Sequence, residues 1–468
     1  MIGALEMAAP GTREEARLEA QVRAAVRASG RKLVAFDDDP TGVQTVANIA
    51  VLARWEVDDL AAELTREAPL FFVLTNSRSL SQPDAVVVNR EIAANLVAAS
   101  RATKISFAIA SRSDSTLRGH FPAETDAIAA ALGGVDGVLL CPAFFEGGRV
   151  TINDVHYLRD GERLIPVNQT EFARDATFGY RHANLRQWVE EKTNGRIPAE
   201  AVRSLSLDDI REGGPDRIAS ILSSAADGQV FVVNATGYAD LHIVVLGLLH
   251  AEAAGKRFVY RTGASFVRAR AGIPTQPLLR RVDLLGPDAP RVPGLVIAGS
   301  HVKRSTEQIA HLVELPETQA IEVSVPALIA SAGTRDAEIR RVRLAAETAL
   351  RQGITPVIFT SRQVEHAEDQ LALSRAVSAA LVSIVQGIAT NPGFIVGKGG
   401  ITSSDIGTQA LGARRALVMG QIRPGVPVWR LGPETRFPGL PYVVFPGNVG
   451  TEETLAEIVA ELRGDAQP

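Results

Sequence analysis

The sequence predicts an α/β protein built as two α/β domains, each with a mainly parallel sheet flanked by helices. Short, wholly apolar runs alternate with helical patterns along most of the 468 residues, as in a parallel sheet covered on both faces. A stretch at 271–294, holding Pro274, Pro277, Pro287, Pro290 and Pro293 with several glycines, interrupts the alternation and reads as a linker. The length also exceeds that of one ordinary domain. The expected domains are 1–285 and 290–468, with the active site in the cleft between them.

The first element is a helix: Thr12 and Glu15 make a capping-box pair, Leu18, Val22 and Val26 recur at helical spacing, and Gly30 can end it. A strand over 32–36 then runs straight into Asp37-Asp38-Asp39-Pro40-Thr41-Gly42. Apolar runs at 47–53, 70–74, 105–110 and 137–141 predict buried strands, and 57–67, 83–101 and 122–132 predict the helices among them. Residues 142–215 are polar, aromatic and Arg-rich, and predict a partly irregular insertion over the site. A strand at 229–234 and a helix near 240–254 restore the rhythm. Past the linker, strands are expected at 295–299, 320–324, 355–360, 393–397, 415–419, 427–430 and 442–445. Helices are expected with them at 305–314, 335–351, 368–389, 402–411 and 451–463.

Composition narrows the function classes. Lys plus Arg is 49 against 53 for Asp plus Glu, a net charge of −4, which leaves no general excess of positive charge for a nucleic acid. Cys141 is the sole cysteine, so there is no disulfide framework and no Cys-built zinc site, and the eight histidines show no metal-binding spacing. No protein-built metal site is expected. The N-terminal residues lack the long apolar run of a signal peptide, and apolar stretches such as 243–249 are far short of a membrane span. A soluble, cytoplasmic protein is expected, without nucleic-acid or membrane partners and with homo-oligomer formation left open.

In parallel sheets ligands bind at the carboxyl ends of the strands, and polar clusters sit there. In the acidic turn Asp37, Asp38 and Asp39, with Thr41 beside them, can accept a hydroxyl proton, bond a sugar hydroxyl or hold Mg2+. Such a turn can equally be a solvated, Asx-capped one. Thr75-Asn76-Ser77-Arg78 follows a second strand and Ser111 to His120 a third; Arg78 and Arg118 suit a carboxylate, Asp114 and Ser115 a polyol. Helix caps use the same residue types. The segment 167–182, mixing charges with aromatics, reads as a fastening of the insertion or as a ligand wall. In the second half Gly399-Gly400-Ile401-Thr402-Ser403 runs from strand to helix, where backbone N–H groups can meet phosphate. The turns at Gly299-Ser300 and Gly447-Asn448 follow the same logic, although any α/β domain needs such connections. Neither GxxxxGK[ST] nor GxGxxG is present.

Together these segments resemble the four-carbon acid sugar kinase family, over about 32–462. The likeness rests on Asp37 to Gly42, Ser77-Arg78, Asp114 to Gly119, Pro142-Ala143-Phe144 with Gly148-Arg149, and Phe172 to Asp175. In the second half it rests on Gly299-Ser300, Gly399 to Ser403, Pro424 to Pro427 and Gly447 to Gly450. The resemblance implies an ATP-dependent kinase, using Mg2+, that phosphorylates a hydroxyl, expected to be terminal, of a small sugar acid such as a four-carbon aldonate or 3-oxo acid. It implies a sugar-acid half with contacts from the Asp38, Arg78 and Asp114–Arg118 loops; on the residues themselves Asp38, Asp37 and Asp114 are the catalytic candidates, with Asp39, Thr41, Arg78, Ser115 and Arg118 as substrate contacts. It implies a nucleotide half using Ser300, Gly399, Gly400, Ile401, Thr402, Ser403, Gly447 and Asn448.

The chain departs from the family pattern at three places. Phe445-Pro446 stands where relatives usually carry Lys-Ser, Ile401 where a Glu is common, and Asp-Asp-Asp-Pro where the acidic motif is simpler. These keep open a branched or longer keto-sugar acid, of oxo-isoapionate type, as the substrate, and also a non-catalytic sugar-acid or nucleotide sensor. A dehydrogenase is disfavoured by the missing dinucleotide fingerprint.

Overall fold

Apolar strands buried on both faces set the architecture. The computed structural model describes residues 12–299, 303–361, 370–447 and 449–465. They form two units, the first ending at Thr275 and the second starting at Gln276.

The first unit holds β1 (Lys32–Asp37), β2 (Ile49–Leu52), β3 (Leu70–Leu74), β4 (Phe107–Arg112) and β5 (Gly137–Cys141). It continues with β6 (Arg149–Ile152), β7 (Val155–Asp160), β8 (Arg163–Pro166), β9 (Arg203–Leu205), β10 (Gln229–Val233) and β11 (Phe258–Thr262). The main sheet runs β2-β3-β1-β4-β11-β5-β10-β9, every neighbouring pair parallel. Leu70–Leu74 and Gly137–Cys141 are buried throughout, as a sheet covered by helices on both faces requires. On one face Val34, Phe36, Phe71 and Val73 pack under Ile92, Ala93 and Leu96 of the helix Gln82–Thr103. Farther along the same face, Trp188 and Val189 of the helix Leu185–Lys192 cover Val138, Leu140, Val230 and Val232, which the strand registers align with Ile109 and Val34. Each such aliphatic or aromatic side chain contributes roughly 1.5–3 kcal/mol through burial.

The second unit holds β12 (Gly294–Ala298), β13 (Thr318–Val323), β14 (Thr355–Thr360), β15 (Phe394–Lys398), β16 (Arg415–Arg423), β17 (Val426–Leu431) and β18 (Pro441–Phe445). Its order is β13-β14-β12-β15-β18, parallel, followed by β17 and β16 as antiparallel strands. Along β16 buried and half-buried residues alternate, the signature of a strand with one wetter face.

Both sheets contain a point where the chain reverses its direction of travel. From β1 it crosses to β2 and β3 on one side before returning to β4 on the other; from β12 it visits β13 and β14 before returning to β15. The crevice at such a switch point, outside the carboxyl ends of the strands, is where open α/β sheets bind ligands. The acidic turn and the Arg112 loop leave β1 and β4; the turns at Gly299 and Gly399 leave β12 and β15.

The structure corrects several expectations. The stretch 142–215 is more ordered than its composition suggests: β6, β7 and β8 form an antiparallel sheet, and helices follow at Leu185–Lys192 and Leu207–Arg211. Strand β11 and the helices Gly214–Ser223 and Ala264–Ala271 lie where no element was expected. The supposed linker contains the helix Arg281–Leu285, which the last helix holds: Arg281 Nε donates to Leu462 O at 3.1 Å. The helix expected at 402–411 is α-helical over Gly400–Asp405 and continues as a π turn over Ile406–Ala410.

Candidate functional site

The first switch point gathers a carboxylate–guanidinium cluster. Asp37 and Arg112 are the last residues of β1 and β4 and are register partners. Parallel strands therefore deliver an acid and a base to the same edge, and Arg112 Nη1 donates to Asp37 Oδ1 at 3.1 Å. A Cβ on Gly42 would lie 1.9 Å from Asp37 Oδ1, so any larger residue there would displace that carboxyl group. Arg78, on the short turn after β3, grips Asp38 with both arms of its fork: Nε to Oδ2 at 3.1 Å and Nη2 to Oδ1 at 2.5 Å. Such a planar two-point pair fixes orientation as well as charge. Asp39 caps the turn Pro40–Val43, its Oδ1 accepting from Thr41 N at 2.8 Å and Thr41 Oγ1 at 2.5 Å. Asp39 and Thr41 thus hold the turn to each other; Asp39 Oδ2 is also 3.6 Å from Arg78 Nη1.

Beyond β4, Arg118 Nε donates to Asp114 Oδ2 at 2.7 Å, and Thr116 Oγ1 donates to the same oxygen. The Arg118 guanidinium lies over the Phe172 ring at 5.0 Å, 3.7 Å from Asp175 Oδ2. Tyr180 OH donates to Thr116 O at 2.8 Å, so the 167–182 segment both fastens the insertion and walls the cluster. Ser115 is buried, its carbonyl 2.8 Å from His156 Nε2. Gly119, at φ +119°, permits the turn to pass close to Arg261 and Asp38.

The structure adds Arg261 and Glu124, which sequence reasoning missed, and shows unpartnered polar atoms on groups it had already singled out. Arg261, 3 % exposed near the end of β11, donates from Nη2 to Arg118 O at 3.0 Å and leaves Nε without a partner. Arg149, at the start of β6, also has a buried, unpartnered Nε. Among the described residues, no carboxylate forms an ion pair with either guanidinium. Glu124 is buried, accepting from Ser77 Oγ at Oε1 and leaving Oε2 open. Asp37 Oδ2 and Ser113 Oγ are buried without partners too. Buried orphan polar atoms are costly, so several at one strand edge mark it as a candidate site for a polar ligand. The signal for Arg261 was present: a charge near the end of the apolar run Phe258–Thr262, as at Asp37 and Arg112.

The carboxylates differ in basicity. Burial pushes Asp37 up to about 8, and the charges of Asp38 and Asp39 add to this against Arg112 and Arg78. Asp114 is driven well below the ordinary carboxylate range, because Arg118 and Arg78 together with two hydrogen bonds outweigh the cost of burial. A raised folded-state value means that Asp37 stabilises the fold below about pH 4, where the unfolded chain is also protonated. That contribution is lost as pH rises toward 8. Asp37→Asn, which cannot ionise, should therefore raise the melting temperature relative to wild type more at pH 9 than at pH 5.5. Several degrees are expected, because about 1 kcal/mol moves a 150–250-residue domain by roughly 2–4 °C. A difference that stays flat across that range would show that Asp37 does not titrate there.

At the second switch point the groups are small. Gly399 has φ +104°, a backbone that side chains disfavour, and its N–H donates to Phe445 O at 2.8 Å. A Cβ on Gly299 would lie 2.5 Å from Thr402 Oγ1, so these two turns touch. Ser403 turns its hydroxyl inward, to Gly397 O and Gly399 O at 2.7 Å each, which makes it a brace of the turn. Gly400 starts the short helix, and Ile401 on it is 53 % exposed. Ser305 Oγ donates to Gly447 O at 3.2 Å, and Gln308 Nε2 to Val449 O at 3.0 Å and Thr451 O at 2.6 Å. Ser300 and Asn448 lie outside the described residues. No helix among the described residues is long and apolar enough to cross a membrane.

Known proteins match in the same two parts. A family model described as a sugar-binding N-terminal domain matches residues 33–270, and one described as a nucleotide-binding C-terminal domain matches 295–455. A 3-oxo-tetronate kinase of Burkholderia multivorans is 26% identical over 402 residues, covering 83% of this chain and 88% of that protein. A D-threonate kinase of Salmonella typhimurium is 24% identical over 368 residues, covering 74% and 78%. Among solved structures, a Haemophilus influenzae protein superposes with a TM-score of 0.60 at 16% identity, covering 91% of this chain and 98% of that one, a likeness of fold.

Proposed function

The chain belongs to the four-carbon acid sugar kinase family, and from that premise we propose that it transfers the γ-phosphoryl group of ATP to a hydroxyl of a small sugar acid. The observation that carries the reading is the contrast between the two switch points. One holds a buried guanidinium, Arg261, and a half-buried one, Arg149, neither with a carboxylate partner among the described residues, beside activatable carboxylates; the other is built of glycine turns where a phosphate chain can approach the backbone.

In this reading Arg149 and Arg261 take the substrate carboxylate, the anion that neither finds among the described residues. Arg78 and Arg118, the expected clamps, are already held by Asp38 and Asp114 and serve to orient those carboxylates. Asp38 accepts the proton of the attacking hydroxyl. Asp37, up to about 8, carries its proton through most of the neutral range and acts as a donor. Asp114, fixed in its charged form by Arg118, bonds substrate hydroxyls rather than removing their protons. The hydroxyl oxygen forms a bond to the γ-phosphorus, the bond from that phosphorus to the β–γ bridging oxygen breaks, and ADP leaves. Such a reaction is mostly positioning and charge neutralisation.

Mg2+ enters on the nucleotide in this reading. It favours phosphates, waters and one or two carboxylates over an all-protein cage. Among the described residues the one group of three metal-capable side chains is His311, Glu452 and Glu453, partly or fully exposed.

ADP release measured with Mg-ATP and a panel of acids tests the function. Four-carbon acids lead the panel, since the relatives are named for 3-oxo-tetronate and D-threonate. Branched keto acids join it because of the departures at Ile401 and Phe445-Pro446. Turnover on at least one acid, with the matching neutral polyol turned over far more weakly, is expected. Equal turnover of the polyol, or none with any acid, would overturn the reading.

A further inference from the structure

We propose that Lys398 reads the phosphate chain of the nucleotide, and that it gains a proton when a nucleoside di- or triphosphate binds. The inference rests on the nucleotide reading above and deepens it. A lysine is almost never fully buried without a partner of opposite charge. Lys398 is 0 % exposed at the carboxyl end of β15, immediately before the Gly399-Gly400 turn, and among the described residues no carboxylate lies within ion-pair distance. Its Nζ donates to two carbonyls instead, Pro446 O at 2.6 Å and Gly447 O at 3.3 Å, and sits 4.1 Å from the ring centre of Phe445, its register partner on β18.

These contacts orient the loop after β18. The carbonyls of Pro446, Gly447, Val449 and Thr451 are all drawn inward, by Lys398, Ser305 and Gln308. A trans peptide points its N–H opposite its carbonyl, so the N–H groups of Gly447, Gly450 and Glu452 face away from these donors, as an oxyanion needs. The ammonium is on hand beneath that loop, and its four-carbon stem lets it leave the carbonyls for a phosphate without moving the strand.

The surrounding charges reinforce the need for an anion. Arg304, in the first turn of the helix Lys303–Val313, repels Lys398. The carboxylates on neighbouring elements are engaged elsewhere: Glu307 lies 3.6 Å from Lys303 and 3.5 Å from Arg304, and Glu452 lies 3.7 Å from His311. Glu453 feels His311 and Arg304, and Asp405 accepts from Ser378 and from Gln409 Nε2 at 2.8 Å. Burial, with Arg304 adding, lowers Lys398 to about 7, so a sizeable fraction is neutral at pH 7.5. A phosphate supplies the missing anion and restores the charge, with uptake of a proton from solvent.

Calorimetry of the full chain at pH 7.5, with ATP, ADP and AMP in two buffers of different ionisation enthalpy, tests this. Wild type should take up a fraction of a proton with ATP and ADP and much less with AMP. Lys398→Met should bind ATP and ADP about 10- to 100-fold more weakly, the cost of one charged hydrogen bond, keep AMP affinity, and show no uptake. Lys398→Arg should retain charge and ATP affinity yet lose the uptake, because guanidinium does not deprotonate in proteins. If wild type binds ATP without proton uptake, or Lys398→Met retains the uptake, the inference fails and the nucleotide reading stands. Parallel loss of ATP, ADP and AMP in the Met variant, with Lys398→Arg still taking up a proton, would likewise overturn it as a structural role. A wild-type chain that binds no nucleotide overturns both.

Discussion

Replacing Asp38 by asparagine is expected to lower kcat by roughly 10²–10⁴-fold, the usual loss when general-base help is removed, with ATP affinity unchanged. The amide keeps the shape and can still accept from Arg78, which meets both carboxylate oxygens, but it is a poor base. Three other aspartates share the edge, and the geometry separates them. Asp39 is committed to capping its turn through Thr41. Asp114 is held in its charged form by Arg118 and Arg78, too weak a base to draw a proton from an alcohol. Asp37 is buried and protonated near neutrality. Steady-state kinetics of Asp37→Asn, Asp38→Asn and Asp114→Asn give the ranking, with thermal melts to exclude unfolding. An Asp38→Asn enzyme within tenfold of wild-type kcat would remove Asp38 from the role. If Asp37→Asn alone were then inactive, the base would be its neighbour.

Much of this edge was legible because a buried parallel strand tolerates polar residues only at its ends. The run into Asp37-Asp38-Asp39, the Arg78 loop and the Asp114–Arg118 loop each follow an apolar strand, and all three meet at one switch point. The glycine turns after β12 and β15 were legible on the same ground. Pairing was not. Sequence spacing cannot show that Arg78 spends its fork on Asp38, because those residues lie 40 apart and come together only through the register of β1 with β3. Arg261 was overlooked because its short strand follows the long apolar helix Tyr238–Ala253, which masks where the next element starts. The insertion was read as irregular because β6, β7 and β8 are short and only partly buried, so alternation along them is faint. Phe445-Pro446 was visible as a departure; that Lys398 lies opposite Phe445 required the β15–β18 register.

Arg261→Met should lower kcat/KM for the acid substrate by about 10- to 100-fold, mainly through KM, the scale of one charged hydrogen bond of roughly 1.5–3 kcal/mol. Methionine fills much of the buried volume and removes a charge that has no carboxylate partner among the described residues, so the fold should survive. Relief of that charge should even leave the melting temperature unchanged or higher. Burial already presses the Arg261 charge downward against the attraction of Glu124, Asp38 and Asp114. Arg149 is under the same pressure, relieved in part by Asp114. If both grip one carboxylate, their losses are coupled, and the double variant should fall short of the product of the single effects. The matching neutral polyol separates binding of the acid from general damage: its weak turnover should be untouched by Arg261→Met, because no carboxylate is there to lose. A variant that loses acid and polyol turnover in equal proportion would make Arg261 a brace for the Arg118 carbonyl, which it meets at 3.0 Å. The acid end of the substrate would then have to be read by Arg149 or by the guanidiniums now paired to Asp38 and Asp114.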